Sequence, residues 1–174
     1  MIILKRFFFK KVQSTNNLAI RKINSGFSNG IIIADYQTNG RGQYGRKWIS
    51  FKGNLFISVF FKVKKNLSIK KMTNLNCTLL KTLFSKIAKR SVSIKYPNDL
   101  LLNKKKFCGI LQETQYSKNS KFLVIGIGVN LVKNPKIKNY PTTNIFKETG
   151  LKIKKTNLIN NIAISYVKKL KLFA

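Results

Sequence analysis

Residues 37–48, Gln-Thr-Asn-Gly-Arg-Gly-Gln-Tyr-Gly-Arg-Lys-Trp, gather three glycines, two arginines and the only tryptophan of the chain. Arginine offers a planar fork that grips a carboxylate or phosphate through two hydrogen bonds, and glycine lets backbone N–H groups approach the same anion. Arg41 and Arg46 therefore point to a ligand bearing phosphate or carboxylate, although a tight surface loop with solvated arginines would have the same composition. Gly40, Gly42 and Gly45 also satisfy the G-x-G-x-x-G spacing of a dinucleotide-binding turn. That turn must open a helix and be followed by an acid about 20 residues on. Neither condition holds, because Phe56, Ile57, Val59 and Phe60 read as a strand and the region around Asn66 offers no acid.

Three later segments add chemistry. Lys95-Tyr96-Pro97-Asn98-Asp99 follows a short β-type run, and Pro97 makes a turn that can project Lys95, Asn98 and Asp99 towards one point. Lys106 opens an apolar strand, Phe107-Cys108-Gly109-Ile110-Leu111, that ends in Gln112 and Glu113. In Leu123-Val124-Ile125-Gly126-Ile127-Gly128-Val129-Asn130, glycines alternate with branched residues. One face of that strand is bare and admits a ligand or a backbone, with Asn130 at its end.

Taken in order, Ser14-Thr15-Asn16, G-R-G-x-x-G-R-x-W, K-Y-P-N-D, K-x-x-G-I-L-x-E and G-x-G-x-N resemble the catalytic domain of the biotin protein ligases, the biotin–[acetyl-CoA-carboxylase] ligases. The resemblance implies a two-step acyl transfer. Biotin and ATP give biotinoyl-5′-AMP, and a lysine of a biotin carboxyl carrier protein, part of acetyl-CoA carboxylase or a related carboxylase, then takes the acyl group. It assigns catalysis to Lys106 and Arg41. Biotin falls to Ser14, Thr15, Gln37, Gly40, Arg41, Trp48, Lys106 and Gly109. ATP falls to Arg41, Arg46, Lys95, Asn98, Asp99 and Asn130, with Asp99 ordering Mg²⁺. Bland readings stand beside several of these: Ser14 as a helix N-cap, Asp99 as a turn cap, Lys106 as one of many solvated lysines. Glu113 orients a neighbour or simply completes a strand. Two positions depart from the family pattern: Gln43 stands where arginine is common, in the loop that would close over the adenylate, and Tyr96 replaces a tryptophan. Neutral donors and acceptors suit the neutral ureido ring. A lipoate or octanoate ligase of the same fold is the nearest rival, and a polyanion-binding relic without turnover is another.

The elements that must position these residues read as one α+β domain over residues 1–174. The resemblance implies a mixed, largely antiparallel sheet packed with helices, like the class II aminoacyl-tRNA synthetase and biotin synthetase folds. Strands are expected at residues 2–12, 30–36, 54–63, 92–95, 100–102, 106–115 and 121–131, and helices at 16–23, 68–89 and 156–172. Met72, Leu75, Leu79, Leu83 and Ile87 should form the buried stripe of the long helix, and Ile159, Ile162, Tyr166 and Leu170 that of the last. Residues 134–150 read as a loop that would help cover the nucleotide. No helix-turn-helix pattern precedes Ser14, and neither a DNA-binding domain nor a C-terminal barrel is expected.

The formal net charge of +31, with only four acids, would ordinarily suggest nucleic acid. The lysines, however, are scattered over nearly every segment, and Lys, Asn, Ile and Phe share A/T-rich codons. Codon drift therefore accounts for the charge better than specific nucleic-acid binding. With no histidine in the chain, a histidine triad or histidine metal site is excluded. Cys77 and Cys108 lack metal spacing and read as reduced core thiols of a cytoplasmic protein. No apolar run is long enough for a membrane span. The family pattern admits a homodimer.

Overall fold

The computed structural model describes residues 3–170. A seven-stranded sheet runs in the order β1-β2-β5-β9-β8-β7-β6. Its strands are β1 (Arg6–Phe9), β2 (Asn29–Ala34), β5 (Leu55–Val63), β6 (Ser93–Lys95), β7 (Asp99–Leu102), β8 (Lys105–Ser117) and β9 (Ser120–Val129). Only β1 with β2 is parallel; every other pairing is antiparallel. Two strands of two residues each, β3 (Gly40–Arg41) and β4 (Lys47–Trp48), form a separate hairpin closed by a 3₁₀ turn at Gln43–Gly45.

The central strands are apolar on both faces because both are covered. Helix α1 (Thr15–Asn24) lays Ala19 and Ile23 on Ile32, Phe60 and Val124. Helices α2 (Ile69–Ala88) and α4 (Lys155–Leu170) cover the opposite face, where Leu80, Phe84, Ile162 and Tyr166 pack with Ile57, Val59 and Phe107. A short helix, α3 (Ile145–Thr149), links the long loop after β9 to α4. Tight turns set the β7-β8-β9 register. Asn103 and Lys104 (φ 48° and 61°) and Lys118 and Asn119 (φ 44° and 59°) are left-handed, the conformation of two-residue hairpin turns.

The expected mixed, mostly antiparallel sheet is present, and every expected strand and helix falls on an observed one. The expected first strand is shorter than 2–12. It spans Arg6–Phe9, Val12 makes only an isolated bridge to Gln37, and residue 2 lies outside the described residues. Residues 171–172 of the last helix and the Leu170 side chain also fall outside them. The stripe assigned to α2 is displaced. Its inward face is Met72, Asn76, Leu80, Phe84 and Ala88, while Leu75 is 44% exposed and Leu79, Leu83 and Ile87 only flank the core. The periodicity is hidden by Asn76, which is fully buried with its Nδ2 against Gln112, itself bonded to Thr73. A polar residue that finds a partner can occupy a core position that letter-by-letter hydropathy skips.

Candidate active site

A cavity of about 710 Å³ opens over the β8–β9 part of the sheet. It is walled by the β3–β4 hairpin, the start of α1, the β6–β7 turn and the loop around Tyr140. Gly109 of β8 and Gly128 of β9 sit opposite one another. Their bare face is where the Trp48 indole lies: a Cβ at Gly128 would come within 2.4 Å of the indole Cε2, and one at Gly109 within 2.6 Å of Cζ3. Gly126 plays the same part for Asn16, whose Oδ1 would lie 2.4 Å from an added Cβ. The glycines thus admit two side chains that shape the cavity floor, and the strand face is not left open for a ligand alone.

One group of wall residues is neutral and mutually bonded. Ser14 caps α1, its Oγ accepting from Asn17 N at 3.5 Å. Thr15 donates from its N–H and from its hydroxyl to Gln37 Oε1, at 2.8 and 3.1 Å. Ser58 Oγ lies 2.8 Å from Thr15 Oγ1 and donates to Asn16 Oδ1 at 2.5 Å. Ser14, Thr15, Asn16 and Gln37 all face the cavity although they are buried.

The other group is charged and gathers around Lys106. Its Nζ is 2.8 Å from Asp99 Oδ1, with the two side chains 21% and 12% exposed. The ammonium also sits 5.4 Å from the Trp48 ring centroid and 5.6 Å from that of Tyr140. Lys95 stands 4.1 Å over the same Tyr140 ring. The Tyr140 hydroxyl donates to Asp99 Oδ2 at 2.5 Å. Burial, followed by the bond to Asp99, pushes the Tyr140 phenol well above its ordinary pKa, so it remains a donor at neutral pH. Asn98 faces the cavity while its Nδ2 donates to Ile110 O at 2.8 Å, tying the β6–β7 turn to β8. The turn at Pro97 does bring Lys95, Asn98 and Asp99 to one wall.

Four of the assigned residues are paired within the protein or lie off the cavity wall. Arg41 reaches the cavity, but its Nη2 is 2.5 Å from Glu113 Oε2, so its charge is matched within the protein. Asn130 is buried off the cavity wall: its Nδ2 donates to Thr143 O, and its Oδ1 accepts from Asn54 Nδ2. Asn54 Oδ1 in turn accepts from the backbone N–H groups of Leu131, Val132 and Lys133, so this amide pair shapes the loop after β9. Gly40 is buried behind the wall, where a Cβ would meet Trp48 O at 2.5 Å. Asp99, the carboxylate expected to order Mg²⁺, lies on the wall with Oδ1 beside the Lys106 ammonium and Oδ2 accepting from the Tyr140 hydroxyl. Among the described residues, no group of three or more potential ligands surrounds a point. Mg²⁺ takes one or two protein carboxylates plus phosphates and water, and here the single carboxylate is the counter-ion of a lysine.

Sequence reasoning missed Tyr140 and Ser58, and gave no role to Asn16, which it quoted only beside Ser14 and Thr15. Tyr140 carries no local signal, since its partner Asp99 is 41 residues away. Ser58 does carry one: a hydroxyl between Ile57 and Val59 in a strand buried on both faces must have a partner.

The sequence model of the biotin/lipoate A/B protein ligase family matches residues 8–130. The chain is 30% identical over 172 residues to the bifunctional ligase/repressor BirA of Bacillus subtilis, covering 91% of this chain and 51% of that protein. With BirA of Escherichia coli the identity is 34% over 123 residues, 69% of this chain and 38% of the relative. It thus spans about half, or less, of the length of these curated relatives. The structure of a biotin protein ligase from Aquifex aeolicus in complex with biotin and ATP superposes with a TM-score of 0.81 at 26% identity, covering 96% of this chain and 70% of that one. With the matched model spanning the α1 start, the hairpin, Lys106 and the β9 glycines, the chain belongs to the biotin/lipoate A/B protein ligase family.

Proposed function

We propose that this chain carries the catalytic domain of a biotin protein ligase, joining biotin to ATP and then to a lysine of a biotin carboxyl carrier domain. The observation that carries this reading is the pairing, in one cavity, of a neutral hydroxyl-and-amide set with a cationic cluster around Lys106. Biotin has the matching polarity: a neutral ureido ring at one end and a carboxylate at the other. The solved Aquifex relative, which holds biotin and ATP, supports the same choice.

In the first step a biotin carboxylate oxygen bonds to the α-phosphorus of ATP as the bond to the bridging oxygen breaks, releasing pyrophosphate. Two anions must approach each other, so a fixed cation between them lowers the barrier most. Lys106 is that cation, held by Asp99 and boxed by Trp48 and Tyr140. Lys95 and Arg46, both on the wall, offset phosphate charge. Trp48 and Gly109 supply the apolar wall along biotin, while Ser14, Thr15 and Gln37 address the ureido group. In the second step the neutral amine of the carrier lysine attacks the acyl carbon, AMP departs with the C–O electron pair, and the amine proton is lost to solvent. Asp99 is the wall carboxylate that would hold Mg²⁺, which would supply neutralisation of phosphate charge.

The carrier is expected to belong to acetyl-CoA carboxylase or a related carboxylase, which places the reaction in the cytoplasm. Among the described residues, no helix is long and apolar enough to cross a membrane. A lipoate or octanoate ligase would replace the ureido-binding set with an apolar pocket, and the buried Thr15–Gln37 pair argues against it.

Biotin-dependent ATP–pyrophosphate exchange on the purified chain tests the reading, with lipoate as the control acid. Exchange with biotin and not with lipoate is expected. Exchange with lipoate alone would move the chain to the lipoate branch, and exchange with neither acid would overturn the ligase reading.

A further inference from the structure

Glu113 of β8 joins residues far apart in sequence. Its Oε2 lies 2.5 Å from Arg41 Nη2 and accepts a 2.7 Å hydrogen bond from Asn16 Nδ2. Asn16 also donates to Leu111 O at 3.3 Å and accepts from Ser58, which touches Thr15, which donates to Gln37. One bonded net therefore runs from Gln37 through α1 and β5 to Glu113 and back to Arg41. It grips the chain on both sides of Gly40, where the β3–β4 hairpin begins. Strands of two residues cannot hold a hairpin by themselves. Beyond this grip the hairpin tip is loosely held: Tyr44 is 87% exposed, and Arg46 forms no ion pair or side-chain hydrogen bond among the described residues. Trp48, the partner of Gly40 across the hairpin, is the side chain that must seat on Gly109 and Gly128.

We propose that Glu113 is a positioning residue that latches the glycine-rich hairpin to the sheet through Arg41, so that Trp48 is seated in the cavity wall. Arg41 spends its charge on this latch. Arg46 is then the hairpin's cation for the phosphates of the nucleotide, a clause that rests on the ligase reading. The alternative role for Glu113, merely completing a strand, leaves Arg41 free and predicts no link between Glu113 and the tryptophan.

Trp48 is the only tryptophan, so its fluorescence reports the hairpin without any substrate. Acrylamide quenching and the emission maximum are compared for the wild type, Glu113→Gln, Arg41→Met and the double variant, with far-UV circular dichroism as the folding control. Glu113→Gln keeps the volume and an acceptor for Asn16 while removing the charge. Each single variant is expected to raise the quenching constant about two-fold and shift emission to the red. The double variant should go no further than either single one, because one break already opens the latch. Wild-type quenching in Glu113→Gln, or effects that multiply in the double variant, would overturn the proposal. Should Arg41→Met not fold, Arg41→Gln takes its place in the cycle.

A second arm separates the two cations. Arg46→Met should raise the KM for ATP in the exchange assay by about ten-fold and leave Trp48 quenching unchanged. Glu113→Gln should alter quenching first. An unchanged ATP KM in Arg46→Met would remove the Arg46 clause. If the wild type shows no exchange at all, the ligase reading and the Arg46 clause fall together, while the fluorescence cycle still decides the latch.

Discussion

Replacing Lys106 by methionine keeps most of the stem packing and deletes the ammonium. At 2.8 Å from Asp99 Oδ1, the pair has a Coulomb attraction of about 6 kcal/mol at an effective dielectric of 20. Desolvation offsets most of that, because the two side chains are only 21% and 12% exposed. Asp99 keeps the Tyr140 hydroxyl as a donor, so its charge is not abandoned in the variant. The net destabilisation should be about 1–3 kcal/mol, or roughly 2–12 °C in Tm for a domain of this size. Catalysis should suffer more than stability. Losing one preorganised charge at the reacting phosphorus costs about 3–4 kcal/mol, or a fall of roughly 10²–10³ in exchange rate. The assay is biotin-dependent ATP–pyrophosphate exchange, run at least 15 °C below the variant's own Tm (a margin of about the largest Tm shift above) so that unfolding does not count as lost chemistry. Exchange within about three-fold of wild type in a folded Lys106→Met protein would refute the reasoning, leaving Lys106 as a structural partner of Asp99 only.

Gly128→Ala should displace the indole, since the new Cβ would sit 2.4 Å from Trp48 Cε2. Overpacking of this kind costs about 1–3 kcal/mol, and calorimetric biotin binding should weaken alongside. Glu148 accepts from Thr143 Oγ1 and Asn103 Nδ2 at 2.5 Å each, and the Thr143 bond chiefly lowers its pKa. A lowered folded pKa contributes stability above the unfolded value of about 4.3, lost as pH falls through the folded value. Glu148→Gln should therefore be less stable than wild type by about 1–2 kcal/mol at pH 7, with the gap closing below about pH 4 in urea melts. Burial, and then Asp99, push the Cys77 thiol up to about 11, and burial raises Cys108 as well. Neither should react with a thiol reagent at pH 8 in the native protein, and both should react in guanidinium. Rapid labelling without denaturant would contradict their burial.

The α2 stripe and the Arg41 assignment show where sequence reading stopped. The apolar letters of α2 pick out Leu75, but the helix turns Asn76 inward because Gln112 on β8 is there to receive it. Arg41 sits in a loop whose composition suits an anion, and an anion does bind it: Glu113, 72 residues further along the chain. The motif residues Ser14, Thr15, Gln37, Lys106 and Gly109 all face the cavity.

What the sequence by itself determined is what short-range physics controls. Alternating and 3.6-period apolar residues specify strands and helices, and closely spaced glycines mark backbone that a neighbour must approach. The order of the motifs was enough to point to the family. Only the tertiary structure decided which polar groups meet: Asp99 with Lys106 and Tyr140, Glu113 with Arg41 and Asn16, Asn130 with Asn54. A hydrogen bond depends on distances of about 3 Å between side chains, and those distances exist only after sheet and helices have packed.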